Sequence, residues 1–419
     1  MKQNTTYKQT ELGLIPEDWE VKEVKKIAKI YDGTHSTPNY VDYGIPFYSV
    51  EHITSNNFKN TKFISEEVFF NENKRVKLER GDILMSRIGD IGTAKYIDWD
   101  VNASFYVTLA LFKKITEKID FKFITFSINS SVFAKELHKR TLHVAFPKKI
   151  NLGDIGKCKI PLPPLPEQKK IADCLSTWDC AIEKQNALIN ALTDRKKALM
   201  QQLLTGKKRL PGFSDEWKEV KLGSICENFQ NGNAFSAKDY KKTGIPIVTM
   251  GNINLGGYFY FSESKSNFWI EDKSLERYEI KKGDLIIAMT DVTPEKNLIG
   301  LTSIIDIDRI FYLNQRVGHI ILKPKLADTD FIFYLSQNSY WRNQCKAFAT
   351  LGVQANLGTN DIKNINIKLP SLSEQTAIAE ILATADRELQ LQKEKLAHLQ
   401  LQKKGLMQVL LTGKKRLIN

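Results

Sequence analysis

The sequence repeats itself at a constant offset of 207 residues. Residues 162–210 align without a gap with residues 369–417, about half of the positions are identical, and both copies end in the octapeptide LLTGKKRL. Weaker matches precede them, such as GIPFYSV (44–50) with GIPIVTM (244–250). The chain therefore consists of two copies of one unit, each with a divergent body followed by a better preserved tail. The divergent bodies should differ in what they recognise, and the tails should share one geometry or partner.

Each tail has seam residues at alternating steps of four and three, the pattern of a coiled-coil helix. Both seams carry Gln and Lys at matching steps, and polar seam residues fix register. We therefore expect the two helices to pair with each other, antiparallel, within one chain; a solvent-exposed single helix and a zipper between two chains are the alternatives. The seams comprise Ile171, Leu175, Trp178, Ile182, Gln185, Ile189, Leu192, Lys196, Leu199 and Leu203, and Ile378, Leu382, Ala385, Leu389, Gln392, Leu396, Leu399, Lys403, Leu406 and Leu410.

The ends of both helices carry matching signals. Pro166 or Ser373 suits the first turn or cap, and Glu167 or Glu374 suits the positive end of the helix dipole. Both helices should end at a glycine that precedes Lys-Lys-Arg, which gives rods on the order of 55 Å from a rise of about 1.5 Å per residue. The first octapeptide continues into PGFSDEW, and the N-terminal TELGLIPEDW resembles that continuation. Joining the two chain ends would recreate the central junction, so we expect the ends to be neighbours.

The two bodies contain short β-branched or aromatic runs bounded by Gly, Pro, Asp or Asn, which predict strands. Short helices are predicted within residues 121–139 and 329–348. The expected class is α+β, with a twisted or partly closed sheet in each body. The repeat divides the chain into a first body (1–160), a central helical region (161–210), a second body (211–368) and a C-terminal helical region (369–419).

Charge favours an acidic partner. The formal net charge is +13, so nucleic acid is the first expectation and an anionic membrane surface the second, although many basic soluble proteins bind neither. The sequence has no apolar run long enough to span a bilayer and no signal-peptide pattern at its start, which predicts a cytoplasmic protein.

The sequence lacks the motifs of the common catalytic sites. It contains no phosphate-binding G-x-x-x-x-G-K-[ST], no dinucleotide-binding G-x-G-x-x-G after a strand, no H-E-x-x-H, and no Asn-Pro-Pro-aromatic tetrapeptide of the kind used by adenine methyltransferases. Its Glu-x-Lys triplets lack a nuclease-like aspartate. The five cysteines form no Cys-x-x-Cys pair, so Cys174 and Cys180 are interpreted as apolar filler. We therefore predict no catalytic residues and no metal site.

Several of these features resemble the specificity (S) subunits of type I restriction–modification systems. They are LPPLPEQKKIA (162–172) and LPSLSEQTAIA (369–379), the long helix, LLTGKKRL, and the Trp-led openings GLIPEDW (13–19) and GFSDEW (212–217). The resemblance implies two target recognition domains, each reading half of a split DNA site, and paired helices that set the spacing and dock two modification subunits. It also implies that S-adenosylmethionine, ATP and Mg²⁺ act on the modification and restriction subunits, with no cofactor on this chain.

Two rival functions are a stand-alone methyltransferase–nuclease, which would need the missing tetrapeptide and a longer chain, and a coiled-coil adaptor, which leaves two strand-rich bodies unexplained.

Base edges are read by Arg or Lys on guanine, Asn or Gln on adenine, and Ser or Thr on either. We therefore nominate residues of these types, in the loops that differ between the copies, as candidates for contact with DNA. They are Thr34, His35, Ser36, Arg87, His143 and Lys148 in the first body, and Asn233, Ser236, Lys238, Thr290, Arg316 and Gln354 in the second.

Overall fold

The computed structural model describes residues 6–293, 295–349 and 355–418. The chain forms two compact units, unit 1 (Met1–Asn186 with Glu394–Asn419) and unit 2 (Ala187–Lys393). Each unit contains one body and a segment of each long helix. No helix in the described ranges has an apolar stretch of the length that a bilayer crossing requires.

Unit 1 combines short strands with short helices and contributes the start of one long helix. Its strands are β1 (Tyr7–Thr10), β2 (Gly13–Pro16), β3 (Glu20–Glu23), β4 (Ala28–Asp32), β5 (Ile45–Tyr48), β6 (Lys62–Ile64), β7 (Ile83–Ser86), β8 (Ala94–Tyr96), β9 (Ser104–Phe105), β10 (Leu109–Lys114) and β11 (Lys159–Leu162). Its helices are α1 (Val50–Thr54), α2 (Glu66–Glu72), α3 (Phe121–Ile128), α4 (Ser131–His138), α5 (Leu152–Gly156) and the long α6 (Leu165–Leu203), which continues into unit 2.

Unit 2 repeats this combination. Its strands are β12 (Lys218–Lys221), β13 (Cys226–Asn231), β14 (Ile245–Val248), β15 (Phe268–Trp269), β16 (Glu279–Ile280), β17 (Leu285–Ala288), β18 (Thr290–Asp291), β19 (Thr302–Ile304), β20 (Phe311–Leu313), β21 (Val317–Leu322), β22 (Ala355–Asn356) and β23 (Asn366–Leu369). Its helices are α7 (Leu222–Ile225), α8 (Thr329–Ser336), α9 (Ser339–Phe348), α10 (Thr359–Lys363) and the long α11 (Leu372–Leu410), which continues into unit 1. The predicted α+β class is confirmed.

Each unit is built around an antiparallel four-stranded sheet, with strand order β4-β10-β7-β8 in unit 1 and β13-β21-β17-β19 in unit 2. Alternate residues of a strand point to opposite faces, and both faces of β7 are covered. Ile83 and Met85 enter one apolar core, whereas Leu84 enters another. Leu285 and Ile286 divide in the same way in unit 2. Burial on both faces explains why these strands read as continuous apolar runs.

The two segments predicted to contain short helices each form two helices. Residues 121–139 contain α3 and α4, and residues 329–348 contain α8 and α9. The breaks fall where a polar side chain caps a new helix: Ser130 accepts a hydrogen bond from the Phe133 amide, and Asn338 accepts one from the Tyr340 amide. Each cap satisfies an amide that the first turn leaves unpaired, so the chain restarts instead of continuing.

The long helices follow the predicted seams. Each spans 39 residues, about 58 Å at the usual rise, and no seam side chain is exposed. In unit 1, Ile171 and Leu175 share a core with Leu410. In unit 2, Leu203 shares a core with Ile378. The start of one helix therefore packs against the end of the other in both units, which confirms the internal antiparallel pair.

A polar layer crosses the helix pair in each unit. Lys196 pairs with Asp386 at 2.5 Å in unit 2, and Lys403 pairs with Asp179 in unit 1. These pairs are the same contact shifted by the repeat offset of 207 residues. Tyr334 donates a hydrogen bond to Asp386, and burial, together with that carboxylate, raises the pKa of Tyr334 so that it remains a donor.

The two layers predict unequal effects of removing the lysine. Lys196→Ala leaves Asp386, a mostly buried carboxylate, without its cation and should lower the stability of unit 2 by about 1–3 kcal/mol. Its repeat-matched control, Lys403→Ala, exposes the half-exposed Asp179 to water and should cost less than about 1 kcal/mol. Hydrogen–deuterium exchange along residues 187–203 and 394–410 measures both; equal effects would contradict the assigned roles.

The octapeptide closes each helix pair. In unit 1 the Arg416 guanidinium donates two hydrogen bonds to the Glu167 carboxylate, at 2.7 and 2.8 Å, and Trp19 Nε1 donates a third at 3.1 Å. In unit 2 the Arg209 guanidinium donates two hydrogen bonds of 2.8 Å to the Glu374 carboxylate, and Trp217 Nε1 donates a third at 3.2 Å. We call Trp19, Glu167 and Arg416 clasp 1, and Trp217, Glu374 and Arg209 clasp 2. Each clasp joins the tail of one repeat to the helix start of the other, so both copies need the same arginine.

The described residues near the two ends of the chain are neighbours, as the sequence predicts. Tyr7 donates a hydrogen bond to the Gly413 carbonyl at 3.1 Å, and Arg416 pairs with Asp18 at 2.7 Å. Gly413 has a φ of +69°, and an added Cβ would lie 2.3 Å from Pro16. The glycine of the octapeptide is therefore required both by backbone conformation and by close approach.

Candidate nucleic-acid interface

The nominated residues of unit 1 gather at one end of its four-stranded sheet. β4 and β7 end there and β10 begins there, because Ala110 pairs with Asp32 and Leu109 with Ser86. Thr34, His35 and Ser36 follow β4, and Arg87 follows β7. Antiparallel pairing thus places segments that are more than fifty residues apart on one surface. We call residues 32–36, 71–76, 87–89 and 141–149 surface 1.

Asp32 organises the first part of surface 1. Its carboxylate accepts hydrogen bonds from Arg75 at 2.6 Å and from His35 at 2.8 Å, and Arg87 lies 4.0 Å away. Burial opposes ionisation, but the hydrogen bonds from Arg75 and His35 lower the pKa of Asp32 and keep it charged. Asp32, His35 and Arg75 line a polar cavity of about 240 Å³. A duplex reaching this surface would meet Arg75 and His35 held in fixed positions.

Arg87 and Thr34 are buried beneath this surface. The Arg87 guanidinium donates to the carbonyls of Ile150 and Val107, at 3.2 and 2.8 Å, and burial lowers the pKa of Arg87. Thr34 forms a parallel bridge with Tyr106. Arg87 thus connects the end of β7 to the segments that carry Val107 and Ile150. Its nomination as a base reader stays a prediction.

The remaining nominees of unit 1 lie on a loop beside Arg87. Residues 141–149, which we call the tip loop, run between α4 and the buried Ile150, whose amide donates to the Arg87 carbonyl at 3.0 Å. His143 is exposed, and its Nε2 lies 2.9 Å from the His138 carbonyl. Lys148 is also exposed. The structure therefore brings all six nominated residues of the first body to one end of the sheet.

Unit 2 places its described nominees at the equivalent sheet end, where β13 and β17 finish and β21 begins. Asn233 bridges to Asn314, and the Arg316 carbonyl accepts a hydrogen bond from Met289. Ser236, Lys238 and Arg316 are exposed, whereas Thr290 is buried and donates to the Met250 sulfur. Gln354 lies outside the described residues. We call residues 233–240, 249–251, 290 and 314–316 surface 2.

The two surfaces occupy the same place in the fold but differ in chemistry. Surface 2 encloses a cavity of about 320 Å³ lined mainly by aromatic, amide and hydroxyl side chains, with one cation and no carboxylate. Its lining residues are Phe235, Tyr240, Thr249, Met250, Gly251, Asn314, Gln315 and Arg316. Surface 1 instead has a carboxylate and cations at its centre. Different hydrogen-bonding groups on one scaffold are what two readers of different sequences require.

Residue-by-residue reasoning missed part of surface 1. Asp32 precedes the nominated Thr34, His35 and Ser36, but the rule for base edges selects side chains that read bases and not a carboxylate that positions them. Arg75 has no local signal, because its partner is 43 residues away. Val144 and Phe146 lie between the nominated His143 and Lys148, but the rule for base edges selects polar side chains only.

The cysteines have different environments. Burial raises the pKa of Cys158 to about 12 and that of Cys226 to about 11, so both thiols stay protonated. Cys174 packs against the core as predicted, but Cys180 is exposed, so the filler interpretation fails for Cys180. Within the described ranges, no group of three or more His, Cys, Asp or Glu residues is arranged to hold a metal ion.

The sequence and the fold of this chain are similar to those of known proteins. The model of the type I restriction modification DNA specificity domain matches twice, over residues 16–194 and 214–401. The type I restriction enzyme MjaVIII specificity subunit of Methanocaldococcus jannaschii is 29% identical, over 97% of this chain and 95% of its own. The EcoKI specificity subunit of Escherichia coli K12 is 23% identical, over 87% and 82%. A type I S subunit structure from M. genitalium has the same fold, with a TM-score of 0.59 at 14% identity over 98% of this chain and 97% of that one.

Proposed function

Because this chain belongs to the family of type I restriction–modification DNA specificity subunits, we propose that it reads a bipartite DNA site on behalf of subunits that methylate and cut. Specificity subunits of these systems are non-catalytic, and the catalytic activities lie on other subunits. Surface 1 reads one half-site and surface 2 reads the other. S-adenosylmethionine, ATP and Mg²⁺ then belong to the partners, and the complex acts in the cytoplasm.

The observation that carries this proposal is the equivalence of the two surfaces. Strand ends related by the internal repeat present different polar side chains at the same place, as two readers with different targets would. The net charge of +13 favours contact with phosphates at both half-sites. Side chains can then read base edges while backbone contacts hold the register.

The long helices set the separation of the half-sites and dock two modification subunits. This role is supported by the sequences of the two repeats, because the helices are much more similar to each other than the two bodies are. The equivalent polar layers and clasps give each copy the same helix-pair geometry. Two equivalent docking positions on such a scaffold accommodate two identical partners.

Exchanging one body tests the division of labour. Residues 218–368 are replaced by the corresponding body of a relative, and the variant is co-expressed with its modification subunits. We expect methylome sequencing to show one half-site replaced and the other unchanged, with the same spacer, because the helix pair is retained. The reciprocal exchange of residues 20–160 is the matched control and should alter only the other half-site. Simultaneous change of both half-sites in either variant would refute separate readers.

A further inference from the structure

The tip loop presents the most exposed large apolar side chains of the described residues. Val144 and Phe146 are 99% and 102% exposed. Isolated apolar residues on a surface are ordinary, but a phenylalanine with both ring faces in water leaves its largest contact area unused. The two side chains lie two residues apart on a loop that belongs to surface 1, so a partner bound to surface 1 would be within their reach.

The base of the loop is fixed although its tip is exposed. The Leu142 amide donates to the Lys149 carbonyl at 2.8 Å, and the Gly89 amide donates to the Lys148 carbonyl at 2.8 Å. Thr141 Oγ1 donates to the Leu137 carbonyl at 2.8 Å. These bonds attach both arms of the loop to the body. Phe146 thus lies on a loop whose two arms are already held by hydrogen bonds. Inserting its ring into a partner therefore costs little additional conformational entropy.

The positive charge next to Phe146 favours nucleic acid as the partner of the tip loop. Lys148 and Lys149 are exposed, and in the part of the chain that the structure describes neither has a carboxylate within ion-pair distance. Cations next to a projecting aromatic ring suit a duplex, in which phosphates flank a stack of apolar base faces. Proteins that deform DNA insert such side chains between base pairs, and base–aromatic stacking is sequence-tolerant and strong.

We propose that Phe146 is a wedge that enters the duplex at the half-site read by unit 1 and separates two stacked base pairs, with Lys148 and Lys149 on the adjacent phosphates. This inference rests on the proposed function, because it needs unit 1 to lie on DNA. The wedge adds recognition by deformability to recognition of base edges. Pyrimidine–purine steps unstack most easily, so the half-site should contain or adjoin such a step at the point of insertion.

The experiment uses the full chain assembled with its modification subunits and a duplex that carries the site mapped by methylome sequencing. 2-Aminopurine is placed at successive positions of the half-site, where unstacking raises its fluorescence. We expect a rise at one step with the native chain and none with Phe146→Ala. Affinity should fall about tenfold to a hundredfold in Phe146→Ala, which is the range that stacking of one base gives. Phe146→Trp should retain both signals.

Ile115→Ala is the matched control. Ile115 is also an exposed apolar residue of unit 1, but it follows Lys114 at the opposite end of the same sheet, so its removal should change neither signal. Lys148→Ala should reduce the salt dependence of binding by about one phosphate contact, a slope that Phe146→Ala leaves unchanged. Because Phe146 is fully exposed, Phe146→Ala should keep the native hydrogen–deuterium exchange rates and assemble normally.

The outcomes separate the two proposals. If the native complex fails to bind the mapped duplex, the proposed function fails and the wedge fails with it. If the native complex binds but Phe146→Ala binds within twofold of it, or 2-aminopurine stays dark at every step, the wedge alone is wrong. Loss of assembly with the modification subunits in Phe146→Ala would show that the tip loop contacts protein, and would also overturn the wedge.

Discussion

Inserting one heptad into both long helices should yield an active complex whose methylated site keeps its two half-sites but has a longer spacer. Seven residues add about 10 Å of helix, which corresponds to about three base pairs at about 3.4 Å each. The seven-residue step restores the seam pattern, so the inserted turns can still pair. Methylome sequencing of cells that carry the variant with its modification subunits measures the spacer.

The structure shows where to insert. The boundary between the two units falls after Asn186 in α6 and after Lys393 in α11, positions that are themselves related by the offset of 207 residues. Heptads placed there leave the Asp179–Lys403 and Lys196–Asp386 pairs within their own units. Both clasps are likewise untouched. The insertion therefore changes the length between the two units without removing a contact that stabilises either of them.

Two controls separate length from disruption. Inserting two residues instead of seven rotates the following seam by about 200° at 3.6 residues per turn, which should abolish assembly and methylation. A heptad inserted in α6 alone makes the two helices unequal in length, so the two Lys–Asp pairs cannot both keep their register. This variant should give a weaker complex than the double insertion. A double-heptad variant that methylates efficiently with an unchanged spacer would show that the helices do not set the spacing.

The sequence predicted those helices and strands that depend on a periodic apolar pattern or on residues close together in the chain. The seam positions of α6 and α11 could be predicted because a 3.5-residue repeat has one structural solution. The strands β7 and β17 could be predicted because apolar runs between Gly-Asp and polar turns are buried on both faces. The starts of α4 and α9 are also encoded locally, because Ser130 and Asn338 belong to Asn-Ser pairs that can cap a helix. The apolar periodicity on either side of each pair instead suggested one continuous helix.

The site was less accessible from sequence because its chemistry is assembled at long range. Arg87 is the right type of side chain for reading guanine, yet it donates to the carbonyls of Val107 and Ile150, which the fold brings to it. Asp32 gains its role only when Arg75 arrives from the segment before β7. Similarly, the octapeptide marked a repeat, but only the fold explains its function, because Arg416 and Glu167 are 249 residues apart.

Breaking clasp 1 should cause the largest loss of stability from any single substitution proposed for this chain. In Glu167→Ala, the nearly buried Arg416 and the buried Trp19 lose a common acceptor that is itself 2% exposed. The Glu167 and Asp18 carboxylates both raise the pKa of Arg416, and Asp18 remains in the variant. The guanidinium therefore stays charged and cannot escape the cost by releasing its proton. Removing one partner of a buried ion pair costs about 3–5 kcal/mol. Because Arg416 retains Asp18, we expect a value near the lower limit.

The measurement must resolve the two units, since a single melting temperature is ill defined for a protein with two of them. Hydrogen–deuterium exchange should accelerate at the start of α6 and in residues 410–417 of Glu167→Ala, while the start of α11 keeps native rates. Glu374→Ala, the same change in clasp 2, should give the reverse pattern. Asp18→Ala removes a half-exposed partner of the same arginine and should cost less than about 1 kcal/mol. If Asp18→Ala and Glu167→Ala were equally damaging, burial of the carboxylate would not be what holds the tail. The octapeptide would then owe its preservation to a contact outside this chain.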